Sequence, residues 1–253
     1  MQPADRQNVR PHSLPESLLY HLLPGVLIAS AYFLLVPAVL AAGYPSVMAL
    51  ALAGAAVLLP LEGGLLLWQG RRHRGRGSLL RTLLGAVEYR QRVNGWEGYL
   101  WVPAVFIASG LIMTVMTPVS AAAEGWFEWI PDSLRLGLGL SGEFARGALI
   151  QTYLLHFLVL VLLAPAVEEL YFRGFLLPRM PEMLGRAGPP VHSVLFALYH
   201  LWSPWMIPAR ALALLPLIYI VRWKRNVYLG IAAHCLINSI DFFAAAFVIA
   251  AMG

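Results

Sequence analysis

The sequence predicts an all-α protein: a polytopic integral membrane helical bundle of about seven transmembrane helices, with a cytoplasm-facing cavity inside the membrane. Three observations predict it. Hydrophobic residues make up 59% of the chain and charged residues 12%, against about 45–50% and about 25% in ordinary globular proteins. The apolar residues fall in continuous runs near the length of a bilayer-crossing helix, about twenty residues, and not in the alternating ten-residue segments of a β-barrel. The basic residues crowd into short segments beside those runs, at RRHRGRG (71–77) and RWKR (222–225).

The spans follow in order on the length criterion. A polar tail, 1–17, precedes the first span, 18–42, which is too long for a signal-peptide core and reads as uncleaved. The second covers 45–68. The arginine-rich loop comes next, with an amphipathic surface helix, LLRTLLGAVEYRQRV, and then the third span, 98–117. Residues 118–146 form a loop carrying Glu124, Glu128, Asp132 and Glu143 against Arg135 and Arg146. The fourth span starts at 148 and runs through EELYFR to about 183, stopping at Gly185 and the GPP of 188–190. The fifth, VHSVLFALYHLW, is short and closed by Pro204 and Pro208. The sixth, 209–221, is short as well, and the seventh covers 227–251. Segments this short pinch the bilayer or line a wet cavity, where irregular backbone is tolerated.

Charge sets the expected topology. With the N-terminus cytoplasmic, the 71–77 loop, the arginines after span four and RWKR all fall inside, and the acidic loop falls outside, as the positive-inside rule requires. The chain divides into a cytoplasmic N-terminal tail (1–17), N-terminal membrane helices with a basic cytoplasmic loop (18–147) and a motif-bearing membrane core (148–253). A bacterial plasma membrane suits the compact size and charge pattern. The sequence pI of about 9.6 reflects those loops, so no nucleic-acid partner is expected; the lipid bilayer is. The single cysteine, Cys235, excludes an intramolecular disulfide and a cysteine zinc site.

Charge inside a membrane is costly, about 2.5–3.5 kcal/mol per group on insertion scales, so each such residue is a functional candidate. Glu62, His156, Glu168, Glu169, Arg173, His200, His234 and Asp241 qualify, with Asn238 among them. Glu169 and Arg173 are four apart and can pair on one helical face; Glu168 points away from that face and has no partner in its own helix. His234 and Asn238 are one turn apart. A carboxylate and an imidazole can move a proton, and a second imidazole with a carboxamide can donate to an oxyanion. The simpler readings are a charge cluster at a helix end, and histidines that hydrogen-bond between helices. The latter suits His156 and Glu62 better, while His192 and Arg210 read as interfacial anchors. Asp241 is a candidate to orient Asn238 or His234.

Three motifs in order, EELYFR (168–173), FALYH (196–200) and HCLIN (234–238), resemble the CPBP family of intramembrane endopeptidases, the CAAX-protease and bacteriocin-processing proteins also called Abi. The resemblance covers about 148–253 and makes that segment a CPBP-like catalytic core. It implies that Glu168 and His200 activate the attacking water, that His234 and Asn238 form the oxyanion hole, and that Glu169 and Arg173 support the site. Water activation without a metal is the preferred reading, so no cofactor is expected; if zinc is used, Glu168, His200 and His234 would be its ligands.

The function expected is therefore hydrolysis of a peptide bond in a membrane-anchored or lipidated protein or peptide. A proton- or ion-coupled transporter would use similar acids and imidazoles, but the sequence shows no inverted repeat. A catalytically silent scaffold or immunity protein would not need all three motifs intact.

Overall fold

A computed structural model describes residues 9–74 and 77–252. The first eight residues of the N-terminal tail, residues 75 and 76 of the arginine-rich loop, and Gly253 lie outside the described residues. Among the described residues the chain is helical, with a single isolated antiparallel bridge between Arg90 and Asn226.

Helix α1 spans Leu14–Ala41 and opens on a reciprocal cap: the Ser13 side chain accepts from the Glu16 backbone, and Glu16 accepts from the Ser13 backbone. That arrangement satisfies two of the donors a helix start leaves open. Helix α2, Ser46–Arg72, contains a π-helical turn at Gly54–Leu58. A short α3, Leu79–Leu83, folds beside it. Helix α4 covers Gly95–Glu124, and α5 covers Arg146–Arg179 with two π-helical stretches, Phe157–Leu163 and Glu169–Leu176. Then come α6 (Gly188–Tyr199), α7 (Ile207–Ala213), α8 (Leu215–Lys224) and α9 (Val227–Ala251). Asn226 caps α9 by accepting from the Leu229 backbone at 3.0 Å.

Five helices are long and apolar enough to cross a bilayer: α1, α2, α4 with the turn after it, α5 and α9. The turn at Pro204–Met206 with α7, followed by α8, adds a sixth if the pair, bent by 41°, is one broken span. Seven spanning helices were expected. The difference lies in α6, whose 12 residues rise about 18 Å, well short of a hydrocarbon core of about 30 Å. His200 leaves helical geometry (φ −86°, ψ 55°), and Pro204 and Pro208 keep the chain from resuming α6.

Contacts between helix ends sort the bundle into two poles. At one, His12 N donates to Arg179 O (2.8 Å), Glu88 N to Gly174 O (3.0 Å) and Val227 N to Tyr89 O (2.8 Å). Arg179 pairs with Glu88 at 2.9 Å, and Lys224 pairs with Glu97. At the other, Ser46 Oγ donates to Arg135 O (3.0 Å), Tyr44 OH to Gln151 Oε1 (2.6 Å), and Arg135 pairs with Glu124 (3.1 Å) while facing the Trp205 ring. Residues Arg179, Lys224 and Arg225 therefore share a pole with the start of α1, opposite the acidic 118–146 loop.

The main core joins α1, α2, α5 and α6 through Tyr32, Leu66, Phe172, Phe175, Phe196 and Tyr199. Helix α4 stands at the periphery: 11% of its apolar window is buried, against 39% for α5.

Candidate functional site

The EELYFR sequence lies where α5 changes from α- to π-helical geometry, between Glu168 and Glu169. A π-helical stretch is a costly local rearrangement that tends to occur at functional sites. Here every side chain from Glu168 to Leu177 is buried. Arg173 is wholly buried; its Nη1 lies 3.1 Å from Glu169 Oε1, and its guanidinium carbon stands 4.0 Å over the Phe196 ring. The pairing expected from the spacing of Glu169 and Arg173 is thus present. The Phe196 face supplies a second, cation–π, interaction to a guanidinium that makes no well-directed hydrogen bond.

Helix α6 delivers FALYH at its C-terminal end. Tyr199 OH donates to Glu168 Oε1 at 3.1 Å. His200 Nδ1 lies 2.8 Å from Phe196 O. A carbonyl only accepts, so this nitrogen carries the proton and the neutral ring offers Nε2 as an acceptor. The ring is wedged among Phe196, Tyr199 and Trp202, with centroids 4.9 to 5.0 Å away.

Helix α9 delivers HCLIN, and Gly230 lets it approach. A Cβ there would meet Glu169 Oε2 at 2.6 Å and Val221 Cγ2 at 2.8 Å. One turn later, His234 Nδ1 stands 2.9 Å from Glu169 Oε1 and Nε2 stands 3.8 Å from Glu168 Oε2. His234 therefore sits between the two carboxylates, with Nδ1–H donating to Glu169. Asn238 Nδ2 donates to Leu160 O at 2.9 Å, inside the first π-helical stretch.

Glu168, Glu169, Arg173 and His234 thus form one connected cluster across α5 and α9, His234 reaching both carboxylates and Arg173 pairing with Glu169, with Tyr199 from α6 on Glu168. His200 borders the same Phe196 ring as His234 and Arg173, but the imidazole on Glu168 is His234. Asn238 is near, with one of its amide hydrogens directed at α5. Among the described residues no three His, Cys, Asp or Glu side chains are grouped to hold a metal ion. A cavity of about 180 Å³ opens at the basic pole, lined by Tyr89, Leu177, Met180, Gly188 and Arg222 among others. None of the motif residues borders it.

Several readings of single residues change. Asp241 is exposed and near Tyr153, and it makes no hydrogen bond to Asn238 or His234. His192 is wholly buried, with Nδ1 2.8 Å from Nε2 of His21, so it is no interfacial anchor. Arg210 donates to Ser203 Oγ at 3.2 Å and lies within electrostatic reach of Glu168 and His200. His156 is buried against the Tyr153 ring. Sequence reasoning missed Tyr199, whose only signal is its place next to His200 in the motif. It also undervalued Glu62, which is wholly buried in α2 beside Tyr199, Glu168 and Arg173.

Residues 150–240 match the family model described as type II CAAX prenyl endopeptidase Rce1-like. The match contains all six motif residues, Glu168, Glu169, Arg173, His200, His234 and Asn238. Over that stretch, about a third of the chain, the sequence is similar to the CAAX-protease family that its three motifs resemble. No curated protein and no solved structure matches the chain.

Proposed function

We propose that this protein is an intramembrane endopeptidase that hydrolyses a peptide bond in a membrane-associated or lipidated protein or peptide, using water activated by Glu168. The family match over 150–240 supports the protease class. The observation that carries the mechanism is the buried meeting of Glu168 with His234, Glu169 and Arg173 across separate helices.

Each group has a role that its hydrogen bonds leave open. Glu168 Oε1 is occupied by the Tyr199 hydroxyl, so Oε2 is the base that takes a proton from water. His200 Nε2, the unprotonated nitrogen, holds the same water and orients its lone pair. The resulting hydroxide attacks the carbonyl carbon. The oxyanion is met by His234 Nε2, which donates when the ring is imidazolium, and by the second amide hydrogen of Asn238. Preorganised donors of this kind contribute about 3–4 kcal/mol each. The C–N bond then breaks, and the proton on Glu168 passes to the leaving amine. Glu169 and Arg173 fix His234 and the α5 backbone.

No step in this sequence needs a metal, and metal-free water activation is part of the proposal. The pole gathering Arg179, Lys224 and Arg225 faces the cytoplasm by the positive-inside rule, which places the N-terminus there too. Water enters from that side.

The test is cleavage of a prenylated peptide ending in a CAAX sequence, and of membrane proteins in cells, by the wild type and Glu168→Ala. Products lost with Glu168→Ala support the assignment; equal cleavage by the variant overturns it. Elemental analysis with chelator addition tests the metal question, and stoichiometric zinc lost together with activity would refute metal-free water activation.

A further inference from the structure

The catalytic reading leaves one buried acid without a task. Glu62 sits in α2, outside the three motifs and outside the matched segment. It has no exposed surface, and neither carboxyl oxygen makes a hydrogen bond of good geometry. The groups facing it are Tyr199 from α6 and Glu168, Arg173 and Tyr171 from α5. Helix α2 packs directly on the part of α5 that carries Glu168.

Hydrogen-bond inventory decides what Glu62 can be. A tyrosine hydroxyl has one proton to give, and Tyr199 gives it to Glu168 Oε1. Toward Glu62 the same oxygen can only accept. An ionised Glu62 has nothing to donate, and would be a wholly buried carboxylate with no hydrogen bond, among the costliest arrangements in a protein. A protonated Glu62 donates to the Tyr199 oxygen and completes a directed chain, Glu62 O–H to Tyr199 O–H to Glu168 carboxylate. Arg173 attracts Glu62 electrostatically, but none of its guanidinium nitrogens makes a hydrogen bond to either carboxyl oxygen.

We propose that Glu62 is a positioning residue of the site: it carries a proton and, through the Tyr199 hydroxyl, fixes the charge and orientation of Glu168. The inference rests on the reading of Glu168 as the base. Capped on Oε1 by a hydroxyl that is itself held from behind, Glu168 keeps Oε2 turned toward His234 and the water. When Glu168 takes the proton from water, the chain lets the Tyr199 hydroxyl reorient without leaving an uncompensated charge. Glu168 is flanked by Glu169, His234, Arg173 and Arg210, so an ionised Glu62 would add a further negative charge that repels the base.

The test does not depend on knowing the substrate. Infrared spectra of the full chain in lipid nanodiscs at pH 7 are compared for the wild type, Glu62→Gln, Glu168→Gln and Tyr199→Phe. The expected result is a protonated-carboxyl band in the wild type that is absent in Glu62→Gln, retained in Glu168→Gln and shifted in Tyr199→Phe. A band retained in Glu62→Gln, a band lost in Glu168→Gln alone, or a band unmoved by Tyr199→Phe overturns the proposal. With a cleaved substrate, Glu62→Gln, which keeps a donor, retains activity within about threefold, while the apolar Glu62→Leu loses at least about tenfold at equal folded yield. Equal loss by both would overturn it as well. Loss of cleavage by the wild type alone bears on the proposed function and leaves the infrared result standing.

Discussion

The bundle holds two buried histidine clusters that differ in what surrounds them. Between α1 and α6, His21 Nδ1 lies 2.6 Å from Ser17 O and so carries its proton; its Nε2 then accepts from His192 Nδ1 at 2.8 Å. Both rings meet Phe172 at steep angles, 59° and 61°. Both imidazoles serve this chain in the neutral form, with His192 Nε2 left as a buried acceptor without a partner, and none of its hydrogen bonds goes to a carboxylate. Between α5 and α9, His234 is set between Glu168 and Glu169, with Arg173 behind. Burial is similar in the two clusters, so burial does not distinguish a site from a joint. What distinguishes them is charge of both signs brought from separate helices into a low-dielectric interior, where each charge is costly unless paired.

The largest effect should separate the clusters by chemistry. Glu168→Ala removes the base, and kcat falls by about 10³-fold, within the range attributed to a positioned proton acceptor. The fold should survive, because the ion pair of Glu169 and Arg173 is left intact. If the variant cleaves as well as a His192 variant, the comparison fails.

The next effect should appear in stability. Glu169→Ala leaves Arg173 buried without its counter-charge and His234 without its Nδ1 acceptor. Breaking one side of such a pair costs about 3–5 kcal/mol, read as a lower unfolding midpoint in detergent. Adding Arg173→Met to Glu169→Leu should recover part of that loss, since coupled residues are non-additive by about 0.5–3 kcal/mol. Wild-type stability in Glu169→Ala would mean that neither its pair with Arg173 nor its hydrogen bond with His234 holds α5 and α9 together.

A third test acts on geometry alone. Gly230→Ala introduces a methyl 2.6 Å from Glu169 Oε2 and 2.8 Å from Val221 Cγ2. Helix α9 must move out, taking His234 with it. A displacement of about 1 Å costs about 10²-fold in a positioned site, so cleavage should fall by about that factor while the protein still accumulates folded. Unchanged cleavage would show that His234 needs no close approach.

These variants also show how much of the molecule was legible beforehand. The membrane bundle was, because runs of about twenty apolar residues have few other uses. The pairing of Glu169 with Arg173 was, because four-residue spacing survives a local change of helix type. The π-helical stretches were not: a shifted hydrogen-bond register leaves no compositional mark. The prolines at 204 and 208 signalled the end of α6 but not that its 12 residues stop short of a span. Motif order could not say which imidazole meets Glu168, since that depends on how α9 packs, and Gly230 allows His234 to arrive first. Arg210 reads as an anchor because an arginine beside an apolar run commonly does that, and Tyr199 is passed over because an aromatic in an apolar helix carries no mark of its own. Glu62 needed three dimensions, since nothing in α2 announces the Tyr199 hydroxyl beside it.

The smallest effect belongs to the other histidine cluster and closes the comparison from its quiet side. His192→Ala removes the donor to His21 Nε2, leaving a buried acceptor unpaired and a space beside Phe172. The unsatisfied group alone costs about 1–3 kcal/mol, so the unfolding midpoint drops. Cleavage, corrected for folded protein, should stay within about twofold, because no hydrogen bond runs from this pair to Glu168 or His234. Replacing both partners, His21→Leu with His192→Leu, should cost less than the two single changes added together, since no polar atom is then left waiting for the other. A fall in cleavage comparable to that of Gly230→Ala would show that the two clusters are mechanically one. Phe172, which touches both His192 and Phe196, is the side chain through which that coupling would run.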